Sequence, residues 1–207
     1  MGEVEAKRSQ GHTEYSLRRD AFRDSTIVLG SALFQAYGSL HRLVKFNDIV
    51  ESWVDGGSSA VRYDELFAML KNDKFTSAID DAIRLSEQWV RSGPDGAPAV
   101  IAAHWINEQN ATPAEAAKLA PIIGKAASNI VKSLAALKAI RLSIGGMLEC
   151  SAVPYDTSRI DAELQAAIER SGDAILQIYN GARNLMMLYR GPRAPATIEH
   201  NLLRIYG

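Results

Sequence analysis

Residues 116–148 read AAKLAPIIGKAASNIVKSLAALKAIRLSIGGML and carry apolar side chains at alternating steps of four and three residues. The apolar seam of this segment consists of Ile123, Ala127, Ile130, Leu134, Leu137, Ile144 and Leu148. Such spacing is typical of a helix that packs lengthwise against another helix. We therefore predict one long helix here, which needs partner helices of similar length to bury its seam.

The same segment carries five positive side chains and no negative one. These five residues, here called the cationic ridge, are Lys118, Lys125, Lys132, Lys138 and Arg141. The first three are seven residues apart, which corresponds to about 10.5 Å along a helix axis. Lys125 follows Ile123 by two residues, so it should point about 200° away from the seam. A row of this kind can follow a phosphate backbone or an acidic protein surface, and it is the candidate binding site.

Two further segments predict long helices with matching seams, at about residues 15–54 and 158–189. Shorter helices are predicted at about residues 62–71, 76–91 and 97–109, and no segment favours a strand. Thr112, Pro113 and Glu115 form a capping-box pattern with proline at the first helical position. Pro121 should kink the helix that follows or mark a short lead-in segment. Asp156 or Thr157 should cap the last long helix.

These patterns predict an all-α fold, an elongated bundle of three long helices plus several shorter ones in antiparallel up-and-down packing. We expect a single domain over residues 1–207, in which 1–14 are flexible and 191–207 form a C-terminal tail with a short helix. Hydrophobic residues make up 47% and charged residues 23%, which is ordinary for a globular protein. The net charge of −1 argues against a generally basic nucleic-acid coat protein.

Compartment and membrane association follow from what the sequence lacks. Cys150 is the only cysteine, which excludes an internal disulfide and favours a reducing compartment. No secretory signal is visible near the N-terminus, and the longest uncharged stretch, residues 25–41, is too short and polar for a membrane span. We therefore expect a cytoplasmic protein with no membrane partner.

No sequence motif indicates a metal, a cofactor or a catalytic centre, so we expect none of the three. Histidines occur without His-x-x-x-His or Glu-x-x-His pairs, and no phosphate-binding glycine loop or Gly-x-Ser-x-Gly is present. His104 and Glu108, four residues apart, could share an ion, but an ordinary histidine–glutamate pair is the better interpretation.

One short pattern lies near the C-terminus. Residues 193–200, RAPATIEH, place six residues between Arg193 and His200. This resembles the Arg-x(4–6)-His spacing of the HEPN ribonucleases, which are small and often dimeric helical bundles. The resemblance implies that His200 would act in general acid–base catalysis on RNA and that Arg193 would stabilise phosphate charge.

The charge distribution leaves three roles open for the cationic ridge. Between Asp48 and Asp95 the chain has ten acidic and five basic residues, so this region could cover the ridge within one molecule or in a second copy. A solvated ridge is the second alternative, and an external acidic protein or nucleic acid is the third. We hypothesise a non-enzymatic helical binding or assembly module, a subunit or adaptor of a larger complex, with a protein partner or homo-oligomer expected and nucleic acid as the other partner class. The alternative function is a HEPN-like ribonuclease using Arg193 and His200.

Overall fold

The computed structural model describes residues 26–46, 48, 59–91, 112–152 and 154–190. The first helix, α1, covers residues 26–44. The others are α2 (Ser59–Leu70), α3 (Asp73–Arg91), the short α4 (Pro113–Ala117), α5 (Leu119–Glu149) and α6 (Thr157–Arg190). No strand occurs within these residues, which confirms the all-α prediction. The predicted flexible segment 1–14, the tail 191–207 and the predicted helix 97–109 lie outside the described residues.

Neighbouring helices run in opposite directions. Arg159 Nη2 of α6 lies 2.7 Å from Glu149 Oε2 at the end of α5, and Arg170 Nη1 lies 2.8 Å from Ser143 Oγ. Positions therefore rise along α6 as they fall along α5, so the two helices are antiparallel. Bonds from α3 to α5, described below, follow the same antiparallel order.

Aromatic rings join α1 to α6. The ring centroids of Phe34 and Tyr37 each lie 6.3 Å from that of Tyr179. Further along, Gly30 faces Met186, so α1 is also antiparallel to α6. The helices α3, α5, α6 and α1 thus alternate in direction, which is the predicted up-and-down arrangement.

Buried residues recur at the predicted helical spacing along α1 and α6, and along α5 they follow the predicted seam in part. On α5, the seam residues Ile123, Ile130, Leu137 and Ile144 are buried as predicted. Ala127, Leu134 and Leu148 are only half-buried, and five other α5 residues are buried: Ala126, Ser133, Ile140, Ser143 and Met147. The buried strip of α5 is therefore centred between two neighbours, α3 and α6, whereas the sequence prediction assumed a single partner line.

The predicted helix start near Thr112 is confirmed, together with its lead-in segment. Thr112 N donates to Glu115 Oε2 at 2.7 Å, and Glu115 N donates to Thr112 Oγ1 at 3.2 Å, which forms the capping box. The helix then breaks at Lys118, and α5 begins with Pro121 in its first turn. Proline has no N–H and its ring clashes with the carbonyl four residues earlier, here that of Ala117, which explains the break.

Two other helix starts depend on side-chain caps. Asp156 Oδ1 accepts from Arg159 N at 3.1 Å, so Asp156 is the cap of α6. Asn72 Oδ1 accepts from Lys74 N at 3.0 Å, and α3 begins three residues earlier than the predicted start at residue 76. The sequence prediction missed this boundary because it assigned Asn72 to the turn and did not consider it as a cap.

Candidate binding surface on helix α5

The five residues of the cationic ridge do not form one continuous row. Lys138 follows Lys125 by thirteen residues, which turns a helix by about 1300°, so the two side chains point about 140° apart. Lys125 and Lys132 share one line of α5, and Lys118 lies at the break before this helix, whereas Lys138 and Arg141 lie towards α3. The sequence prediction had followed the heptad spacing of the first three lysines and extended it to two residues that break the spacing.

Acidic side chains of α3 bind the two displaced cations. Lys138 Nζ lies 2.5 Å from Glu87 Oε1, and Arg141 Nε lies 2.8 Å from Asp80 Oδ1. The hydrogen bond and charge of Lys138 lower the pKa of the Glu87 carboxyl below its ordinary value of 4.5. Both acids belong to the region Asp48–Asp95, so part of the ridge has an intramolecular complement that fixes α3 against α5.

The other three lysines of the ridge are exposed and have no ion-pair partner among the described residues. Lys118, Lys125 and Lys132 all fall in the exposed class. No acidic residue occurs from Leu119 to Leu148, and the one acid of α5, Glu149, is bonded to Arg159 at the far end. These three lysines are therefore exposed to solvent in the described part of the chain.

A strip of small and apolar residues lies beside these lysines. We call it the outer face of α5, and it consists of Gly124, Ser128, Val131, Ala135 and Leu142. Leu142 is 77% exposed and Val131 is 51% exposed. The strip advances by four, three, four and seven residues, which is the spacing of a second helix-packing seam on the side opposite the core.

The composition of α5 differs from that of an ordinary surface helix. Surface helices usually carry charged and polar residues opposite their core face, whereas this face of α5 is formed mainly by small and apolar residues. An added Cβ at Gly124 would meet nothing within 4 Å, so packing inside this molecule does not require a glycine there. By contrast, a Cβ at Gly146 would lie 3.0 Å from Glu163 Oε1, so the absence of a side chain there leaves room for the Glu163 side chain of α6.

A second polar cluster joins α2 to the start of α6. Tyr63 Oη donates to Asp161 Oδ2 at 3.0 Å, and Tyr155 Oη donates to Asp64 Oδ1 at 2.5 Å. The two tyrosine rings are 5.7 Å apart, and Arg62 Nη1 lies 3.5 Å from Asp161 Oδ1. Sequence reasoning missed this cluster because its hydrogen bonds connect residues 98 and 91 positions apart in the chain.

The environment of these tyrosines disfavours their ionised forms. Burial raises the pKa of Tyr63 above its ordinary value of 10.0, and the hydrogen bond to Asp161 raises it further. The hydrogen bond to Asp64 is the main cause that raises the pKa of Tyr155. Both hydroxyls remain protonated donors at neutral pH, so the cluster acts as a clamp between α2 and α6.

The remaining candidate residues concern a reactive thiol, a metal site, a membrane span and the HEPN-like pair. Cys150 is a free, buried thiol. Within the described ranges, no three His, Cys, Asp or Glu side chains are grouped as metal ligands. Across the helices that the structure describes, none combines the length and hydropathy needed to cross a bilayer. His104, Glu108, Arg193 and His200 lie outside the described residues, so the HEPN-like pair stays a prediction.

Comparison with protein-family models, with curated proteins and with solved structures finds no match to this chain.

Proposed function

We propose that this chain is a non-enzymatic helical binding module, a subunit or adaptor that recruits an anionic partner through α5. The observation that carries the proposal is the division of the cationic ridge. Lys138 and Arg141 are paired with α3, while Lys125 and Lys132 remain exposed and unpaired in the described part of the chain. The paired cations stabilise the bundle, and the exposed cations bind the partner.

Electrostatics gives this surface an orienting role. Two exposed lysines on one line of a helix attract an anionic surface over roughly a Debye length, about 8 Å at physiological salt. Such charges mainly raise the association rate and select against cationic partners. The neighbouring Val131 and Leu142 supply apolar area that becomes buried on binding.

Charge reversal at the exposed lysines tests the proposal. The double variant Lys125→Glu, Lys132→Glu is expressed in the native cell beside the wild-type chain, and each is purified at low salt. We expect the wild-type chain to co-elute with a partner. The amount of partner that co-elutes with the variant should be at least tenfold lower. The ultraviolet absorbance ratio distinguishes a nucleic acid from a protein partner.

A matched control variant has the same net charge as the Lys125→Glu, Lys132→Glu variant. Lys45→Glu with Lys74→Glu reverses two exposed lysines elsewhere and should retain the partner. Circular dichroism should show equal helicity in all three proteins. Retention of the partner by the Lys125→Glu, Lys132→Glu variant would overturn the proposal.

A further inference from the structure

The outer face of α5 has features that restrict the class of partner. It extends from Gly124 to Leu142, which is about 27 Å or five helical turns. Its steps of four and three residues match the periodicity of one helix packed along another. Gly124, Ser128 and Ala135 are small enough to let a second helix approach closely, and Val131 and Leu142 offer exposed apolar side chains.

Charge supplies an independent constraint on the occupant. Lys125 and Lys132 border the strip at heptad spacing and have no acidic counterpart in the described residues. In paired helices, charged residues that flank the apolar seam select the partner by opposite charge. The complementary helix therefore carries Glu or Asp at positions seven residues apart.

We propose that the outer face of α5 docks a single acidic amphipathic helix of another protein. This inference depends on the proposed function, since it names the partner class for the same surface. The apolar stripe of the incoming helix covers Val131, Ala135 and Leu142, and its acidic residues pair with Lys125 and Lys132. The contact adds one helix to the bundle.

The two other partner classes fit the surface less well. A second copy that paired α5 with α5 in antiparallel orientation would bring Lys125 and Lys132 of one copy beside the same lysines of the other, because α5 has no acid before Glu149. Proteins bind nucleic-acid phosphates through lysine and arginine, and they bind the bases of single strands by stacking on aromatic side chains. The outer face carries no aromatic side chain, and Leu142 is 77% exposed there.

Synthetic probes test the inference on the purified full chain. The first is a fluorescent peptide of about 21 residues with leucine and alanine at seam positions and glutamate at flanking positions. The second has the same composition in scrambled order, and the third is a single-stranded DNA of similar length. We expect the ordered acidic peptide to bind at least tenfold more tightly than the scrambled peptide or the DNA, as measured by fluorescence anisotropy.

Two variants separate helix docking from simple charge attraction. Leu142→Gln should weaken binding of the ordered peptide about tenfold while leaving the scrambled peptide unaffected. Leu176→Gln is the matched control, since Leu176 is 61% exposed on α6, and it should change neither. The double variant Lys125→Glu, Lys132→Glu should bind every acidic probe more weakly than the wild type does.

The outcomes distinguish the inference from the proposed function. Equal binding of the ordered and scrambled peptides, or tighter binding of DNA, overturns the helix-docking inference and leaves an anion-binding surface on α5. Ordered-peptide binding that is insensitive to Leu142→Gln also overturns it. Binding that is insensitive to the charge reversals, or no binding of any probe, overturns both.

Discussion

Lys132 and Lys138 lie six residues apart on α5 and border its exposed side on opposite edges. Lys138 is bonded to Glu87 of α3, whereas Lys132 is exposed and unpaired among the described residues. Six residues turn a helix by about 600°, so side chains at this spacing point about 120° apart. One cation therefore pairs with a neighbouring helix at the edge of the bundle, and the other has no ion-pair partner among the described residues.

The Lys138–Glu87 pair makes a prediction about acid stability. The folded-state pKa of Glu87 lies below its ordinary value of 4.5. The ionised carboxylate therefore stabilises the folded state above that pH, and this stabilisation is lost as the pH falls through the lowered pKa. Glu87→Gln removes this contribution. We expect the urea midpoint of the wild type to fall more steeply between about pH 5 and pH 3 than that of the variant.

A control for this measurement is Glu65→Gln, at an exposed carboxylate with no ion pair in the described ranges. The urea midpoint of this variant should fall between pH 5 and pH 3 as steeply as that of the wild type. Parallel curves for wild type and Glu87→Gln would show that the Lys138 contact does not contribute.

The tyrosine–aspartate clamp makes the opposite prediction at alkaline pH. The folded-state pKa of Tyr63 is raised above 10.0. The protonated hydroxyl therefore stabilises the folded state fully below that pH, and this stabilisation is lost as the pH rises through the raised pKa. Tyr63→Phe should be less stable at neutral pH, since it lacks the hydrogen bond, by about 1 kcal/mol. Its stability should also decline less than that of the wild type from about pH 9.5 upwards, as measured by urea unfolding. Equal declines would argue against the clamp.

A matched pair of leucine truncations tests which side of α5 is buried. Leu137 has no exposed surface and Leu142 is 77% exposed. Leu137→Ala should lower the free energy of unfolding by about 3 kcal/mol, whereas Leu142→Ala should change it by less than about 0.5 kcal/mol. Chemical denaturation of both variants gives the comparison. Similar losses in the two variants would contradict the described orientation of the helix.

Gly124 provides a test of the free surface itself. A Cβ at this position meets nothing within 4 Å, and alanine stabilises helix interiors relative to glycine by about 0.5–1 kcal/mol. Gly124→Ala should therefore raise the melting temperature of the isolated chain. Gly172→Ala on α6, where space is also open, should raise it by a similar amount. A lower melting temperature for Gly124→Ala alone would mean that another part of the chain occupies this space.

The ribonuclease alternative is tested separately. If Arg193 and His200 cut RNA, His200→Ala should abolish cleavage while thermal stability stays unchanged. The binding-module account predicts that the wild-type protein leaves structured and single-stranded RNAs intact over hours at neutral pH. RNA cleavage that depends on His200 would favour the enzyme.

Helical periodicity predicted the architecture because burial along a seam is encoded locally. Leu29, Leu33, Leu40 and Leu43 of α1 are all fully buried at the predicted spacing, and the Thr112–Glu115 capping box is contained in four consecutive residues. The start of α3 was missed since Asn72 was assigned to a turn, although its side chain caps the helix.

The candidate surface was predictable only in part, for reasons of geometry. Lysines at heptad spacing project from the same side of a helix, but Lys138 and Arg141 break this spacing. Their acidic partners become visible only once the position of α3 beside α5 is known. The pairs Tyr63–Asp161 and Tyr155–Asp64 depend on contacts between distant parts of the chain, for which a single sequence carries no local signal.

Site-specific photo-crosslinking in the native cell tests the central claim most directly. A photoreactive side chain replaces Ser128 on the outer face of α5, and the same group at the exposed residue Gln165 of α6 is the control. The account predicts a crosslinked partner at position 128 that is absent at position 165 and that is lost with Lys125→Glu and Lys132→Glu. Adducts at position 128 no more abundant than at position 165, or adducts that survive the charge reversals, would contradict it.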